Sequence, residues 1–145
     1  MLEMVAASML FMLFIGSITS VWNAFEKQRM HVQARARLDS EAQLARAQML
    51  VDISSSSAVS SWTGQDISIT YANGDAVTYS LGPDNQLLRY ESSTISTTTA
   101  ALYLAAISSE AVNGKLHMRC NFARKPFPKS STTLTAAVDL WWQSL

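Results

Sequence analysis

The side chains able to do chemistry are few and scattered. His117 and Cys120 are ligand types favoured by transition metals. They stand three apart in a segment that alternates like a strand, with Leu116, Met118, Cys120 and Phe122 facing one way and His117, Arg119 and Asn121 the other. Their side chains therefore point to opposite faces and cannot share an ion. Cys120 reads as a small buried apolar residue and His117 as a solvent-facing one. The other histidine, His31, is remote in the chain. The run Ser54-Ser55-Ser56-Ser57 is a hydroxyl-rich loop without a base beside it. No Ser-His-Asp set, phosphate loop or paired carboxylates can be read from the sequence, so it points to a protein that is not an enzyme and uses no metal and no cofactor.

The chemistry that remains is ionic. Glu3 stands at the mouth of a run, Met4 to Phe25, that contains no charged side chain. At 1.5 Å per residue that run covers roughly 33 Å, close to the ~30 Å hydrocarbon core of a bilayer. A carboxylate at the edge of such a segment is costly unless it is paired. A cleaved secretory signal fits poorly, because no Lys or Arg precedes the run and the run exceeds the usual apolar core. The segment reads as a retained anchor. Lys27, Arg29, His31, Arg35 and Arg37 come soon after it. For a chain that begins at Met1, the positive-inside rule places the C-terminal part in the cytoplasm.

The elements that position these residues can be read from periodicity. No proline interrupts the first 82 residues. Ala34, Leu38, Ala42, Ala45, Met49 and Ile53 recur every three or four residues, one stripe of a helix. Arg35, Arg37, Asp39, Glu41, Gln43 and Arg46 occupy the other side. The expectation is one helix from Leu2 to about Asp52, apolar all round over residues 1–25 and amphipathic over 26–53. Its end falls in the serine run, with a loop to Gly64.

Residues 54–145 form the third region, where the period changes to two. Ile67, Ile69 and Tyr71 alternate with polar residues, Asn73-Gly74 is a two-residue hairpin signal, and Val77, Tyr79 and Leu81 alternate again. Gly82-Pro83-Asp84-Asn85 turns the chain into a strand from Gln86 to Glu91. Residues 92–112 fit helix or strand equally. Asn113-Gly114 marks another hairpin, and a last strand runs from Thr132 to Trp142. The consecutive pair Trp141-Trp142 puts one ring in the core and one outside, which reads equally as a partner anchor or as a single exposed apolar residue with no role. The architecture expected is α+β, a long helix covering the apolar face of an antiparallel sheet of four to six strands.

The sequence Leu2-Glu3-Met4-Val5-Ala6 and the apolar helix behind it resemble the N-terminus of type IV pilins and type II secretion pseudopilins. In that family a basic leader, then Gly, an aromatic residue, Thr and Leu, lead into a Leu-Glu pair, onto which Leu2 and Glu3 fall. The strands Ala76 to Leu81 and Leu87 to Glu91, and the ending Thr133 to Leu140, resemble those of minor pilins and minor pseudopilins. The chain starts inside that motif, so the prepilin peptidase is an expected partner only where the gene extends upstream into such a leader. A basic leader would reverse the topology, leaving the N-terminus inside and the β domain outside the inner membrane. The resemblance further implies that Glu3 neutralises the terminal amine of a neighbouring subunit, that Leu2 belongs to the same assembly motif, and that the helix loosens at Gly16 on assembly. The partners it implies are other pilin or pseudopilin subunits, met through the helix, in a filament for secretion, pilus assembly or DNA uptake.

Charge excludes little else. The 145-residue chain carries 11 basic and 11 acidic side chains, so bulk electrostatics give no ground for nucleic-acid binding. The basic residues at 27–37 read as a solvated or headgroup-contacting face, with a DNA-binding stripe the weaker reading. Outside the resemblance, the alternative is a monomeric bitopic protein whose β domain binds a ligand or partner.

Overall fold

The computed structural model describes residues 2–60, 65–113 and 115–143, with the side chain of Leu2 outside that description. One helix, α1, spans Leu2–Ser54. At 1.5 Å per residue it is about 80 Å long. Its last carbonyls are met by the serines at and just beyond its end. Ser54 and Ser55 donate to the Val51 carbonyl at 2.8 and 2.9 Å, and Ser56 donates to that of Ile53 at 2.7 Å. Hydroxyls thus satisfy acceptors that a helix end leaves open.

Among the described residues eight strands come after it: β1 (Ser56–Ser60), β2 (Asp66–Tyr71), β3 (Ala76–Leu81), β4 (Leu87–Glu91), β5 (Ser96–Ala101), β6 (Leu104–Val112), β7 (Lys115–Arg124) and β8 (Leu134–Trp142). All neighbours pair antiparallel. They form two sheets rather than the single sheet of four to six strands expected, one ordered β1-β2-β3-β4-β5 and the other β6-β7-β8. The ambiguous residues 92–112 supply β5 and β6, one edge of each sheet. The chain leaves the first sheet at Leu102 and Tyr103, and the positive φ of 64° at Tyr103 marks the change of direction. Part of the expected loop after the helix is also a strand. β1 is a short serine-rich edge in which only Val59 is buried, too weakly patterned to stand out in sequence. The rest of that loop, Ser61 to Gly64, lies outside the described residues.

The two Asn-Gly signals are resolved differently. Asn113, at φ 51°, fits the two-residue connection between β6 and β7; Gly114 lies outside the described residues. Asn73-Gly74 sits in a four-residue loop between Tyr71 and Ala76. There the Asn73 side chain accepts from the Asp75 amide at 3.1 Å, and Gly74 adopts φ 89°. The Asx turn consumes two residues that a tight hairpin would have kept in the strands.

The core lies between the second half of α1 and both sheets. Ala34, Leu38, Ala42, Ala45 and Met49 are buried, as the stripe requires. Against them pack Ile67, Ile69, Val77, Tyr79 and Leu87 from the first sheet and Met118, Cys120, Phe122, Leu134, Val138 and Leu140 from the second. The alanines let the helix approach closely, and the strand residues alternate inward as their sequence pattern predicts. The first half of α1 touches none of this: Met9, Leu10, Phe11, Leu13, Phe14, Val21, Trp22 and Phe25 are all exposed. α1 is long and apolar enough over this half to cross a membrane once.

Candidate functional site

Three places bring chemistry-bearing side chains into defined settings. The first is the bare half of α1. Leu2 is its first helical residue and Glu3 is exposed in its first turn, where a carboxylate is favoured by the helix dipole. Gly16 lies within unbroken helix, and a Cβ added there would meet nothing within 4 Å. Around it the backbone carries extra donors. The Ser17 hydroxyl reaches the Leu13 and Phe14 carbonyls at 2.8 and 2.9 Å, and that of Thr19 reaches those of Ile15 and Gly16 at 3.0 Å each. Four successive carbonyls thus share their lone pairs with side chains, an arrangement that slightly weakens a helix locally. Ile18, Val21, Trp22 and Phe25 line a shallow groove on this same stretch, and among the described residues no other element closes it.

The second place is one that the sequence patterns do not single out. Asp52, in the last turn of α1, is buried. A carboxylate there opposes the helix dipole, and that turn contains no basic residue. Its partners come from the first sheet. Arg89 of β4 donates from Nε to Oδ2 at 2.9 Å and from an η nitrogen to Oδ1 at 3.2 Å. Tyr79 of β3 donates to Oδ2 at 2.6 Å and Tyr71 of β2 to Oδ1 at 2.9 Å. Arg89 also donates to Glu91 at 3.1 Å. Burial alone would raise the Asp52 pKa, but the hydrogen bonds from Arg89, Tyr79 and Tyr71 outweigh it and hold the carboxyl below its ordinary value. The Tyr79 phenol is pushed up by burial and by its bond to Asp52. The Arg89 guanidinium is raised by that same carboxylate. Nothing in this cluster is poised to react at neutral pH. It binds the helix end to three strands.

A signal for it is nonetheless present in the sequence. Asp52 falls three residues after Met49, on the apolar stripe itself. Arg89 falls two residues after the buried Leu87, on the same inward face of β4. An acid on the core face of a helix and a base on the core face of a strand call for each other.

The third place is the outer face of the second sheet. His117, on the central strand β7, has Nδ1 3.3 Å from Glu110 Oε1 on β6 and Nε2 3.0 Å from Asp139 Oδ1 on β8. Arg119 Nε also reaches Asp139 Oδ1, at 2.9 Å. The Trp141 ring stacks on the imidazole, with centroids 4.2 Å apart and planes 17° from parallel. His117 and Cys120 do lie on opposite faces. Cys120 is inside, its Sγ 3.9 Å from Met49 Sδ, and burial pushes its thiol up to about 12, which leaves it protonated and inert at neutral pH. No group of three His, Cys, Asp or Glu among the described residues is arranged to hold a metal ion. Trp142 packs toward the core while Trp141 is 55% exposed, one ring on each side.

The fold and these sites define an α+β protein with one helix able to span a membrane and a β domain packed on that helix's second half. Known proteins add no narrower name: no family model, no curated protein and no solved structure matches the chain.

Proposed function

We propose that this chain is a minor pilin or pseudopilin subunit of a membrane-rooted filament, with its β domain on the extracytoplasmic side of the inner membrane. The observation that carries the reading is the division of α1. A single helix has one half uncharged from Met4 to Phe25 and bare, and the other half tied into a β domain. The bare half supplies the surface that neighbouring copies of such a helix would bury, and small residues Ala6, Ala7, Ser8 and Gly16 permit close approach. Glu3 acts as the electrostatic register. Its carboxylate, moved into a bundle of apolar helices, is stabilised only by a partner charge, which the amine of an adjacent subunit provides. The extra hydroxyl donors around Gly16 give the helix a stretch that can loosen on assembly.

The test is incorporation. Glu3→Ala and Glu3→Leu should insert into the membrane as the unchanged chain does yet appear in sheared filaments at a small fraction of its level. Normal incorporation would remove the register role. Cysteines placed at Ala6 or Ser8 should crosslink into ladders with other subunits. Monomers alone would favour a bitopic protein acting singly through its β domain.

A further inference from the structure

The charges of this chain are unevenly placed. Of the 11 basic side chains, Lys27, Arg29, Arg35 and Arg37 lie on helix residues 26–39, and Arg124, Lys125 and Lys129 lie at the end of β7 and in the loop after it. Only Glu26 and Asp39 of the 11 acidic side chains fall on those segments. Seven basic against two acidic groups give that region a net charge of +5, and leave the rest of a neutral chain at −5.

The fold joins the two segments. β7 descends to Arg124 and β8 begins at Leu134, its register partner. Arg35 donates to the Thr135 carbonyl at 3.0 Å, which fixes this end of the sheet against the helix. Met30, Gln33, Ala34 and Arg37 of α1 line one cavity of about 100 Å³ together with Arg124 and Pro126. The guanidinium of Arg124 lies 4.3 Å above the Tyr103 ring, and its buried Nη1 has no hydrogen-bond partner among the described residues. Neither Arg37 nor Arg124 forms an ion pair among the described residues. Arg37 and Arg124 line one cavity with no carboxylate among its described lining residues, and a buried donor wants an acceptor. Oxyanions, phosphate above all, satisfy both.

Position decides which phosphate. The apolar run ends at Phe25. Met30 lies roughly 8 Å and Arg37 roughly 18 Å farther along the helix. Helical side chains lean toward the N-terminus, so Arg37 reaches back toward Met30. Headgroups occupy about 5–8 Å beyond the hydrocarbon on each side. Met30 is therefore at the outer edge of the headgroups, and the Arg37 backbone lies about 10 Å beyond it, a gap its side chain spans in part and across which its charge is still felt.

We propose that this end of the β domain docks on anionic phospholipid, with a headgroup phosphate drawn toward the cavity that Arg37 and Arg124 line. Lys27, Arg29, Lys125 and Lys129 rest on the surrounding headgroups. The inference rests on the apolar run spanning a bilayer and is independent of filament assembly, so each can fail alone.

The full chain in dodecyl maltoside micelles is titrated with phosphatidylglycerol or phosphatidylcholine, and bound lipid is counted by native mass spectrometry. Phosphatidylglycerol should bind more tightly than phosphatidylcholine. Arg37→Gln, at an exposed position, should weaken it roughly fivefold, and Lys125→Gln with Lys129→Gln by about that factor for each charge removed. Arg124→Gln should weaken it further, with its unfolding midpoint measured alongside because Arg124 also packs on Tyr103. Equal binding of the two lipids, or unchanged binding in both Arg37→Gln and the lysine pair, overturns the proposal. So does displacement by inorganic phosphate at matched concentration, which would mark a free-anion site, or by duplex DNA, which would assign the surface to nucleic acid.

Discussion

Two clusters in this molecule are built from the same parts and do different things. At the end of α1, Asp52 gathers Arg89, Tyr79 and Tyr71. On the outer face of the second sheet, Asp139 gathers His117 and Arg119, with Trp141 stacked over the imidazole. Each joins a carboxylate, a cation and an aromatic ring across neighbouring elements. The side chains of Asp52 and Arg89 are 9% and 16% exposed, whereas those of Asp139 and Arg119 are 39% and 49% exposed. In the first, water cannot replace a lost partner. In the second, it can. The inner carboxylate also has two phenol donors that the outer one lacks, and solvent access widens the difference.

The largest expected effect comes from breaking the inner cluster. Asp52→Ala takes the shared acceptor from Tyr79 and Tyr71 and leaves Arg89 with Glu91 as its remaining carboxylate, and should cost about 3 kcal/mol of β-domain stability. Urea unfolding of the full chain in detergent, followed by tryptophan fluorescence, would measure it. Replacing both Asp52 and Arg89 by leucine should cost less than the sum of the two single changes, because no charge is then stranded. Strict additivity would show that the pair does not act as one unit.

A smaller effect sharpens the same contrast through pH. The folded Asp52 carboxyl is held below its ordinary value of 3.8. As pH falls through that value, the unfolded chain takes up its proton first and the folded chain resists. Stability from this group is therefore fully present above pH 3.8 and is lost as pH drops toward the lower folded value. The urea midpoint should decline on acidification below pH 3.8, and Asp52→Asn should flatten part of that decline. An unchanged slope in the asparagine variant would mean that other carboxylates carry the acid response.

How far the sequence can be read obeys the same division. Patterns that repeat along one element are legible. The stripe from Ala34 to Met49 is buried, the helix runs on to Ser54, and Leu116 to Phe122 alternates as its spacing predicts. Features that depend on what a distant segment brings are not. Residues 92–112 carry no clear period because β5 is exposed over most of its length and β6 is an edge, so neither needs a full apolar face. The split into two sheets depends on a change of direction at Tyr103 that no local signal announces. Asp52 is visible as an acid on an apolar stripe, yet its meaning requires Arg89, which is 37 residues away. His117 is placed on the correct face by alternation, but its cover by Glu110, Asp139 and Trp141 depends on register between three strands.

The smallest effect lies in the outer cluster, and there the difference between the two clusters can be tested most directly. Trp141 contributes a stacked ring to His117, an interaction worth about 0.5–1.5 kcal/mol when well shielded. Here the tryptophan is 55% exposed, so Trp141→Ala should cost less than about 1 kcal/mol. What it should change is access. The His117 side chain is 16% exposed, hemmed by two carboxylates and the indole. Without the indole, His117 should react faster with diethyl pyrocarbonate, while His31, exposed on α1, serves as an internal reference of constant rate. A destabilisation matching that of Asp52→Ala would mean that the outer cluster is covered by something in solution, and that water does not screen it as its exposure implies. A modest cost with a faster His117 would establish that solvent access, beside the phenol hydrogen bonds that only the inner cluster has, sets the two clusters apart.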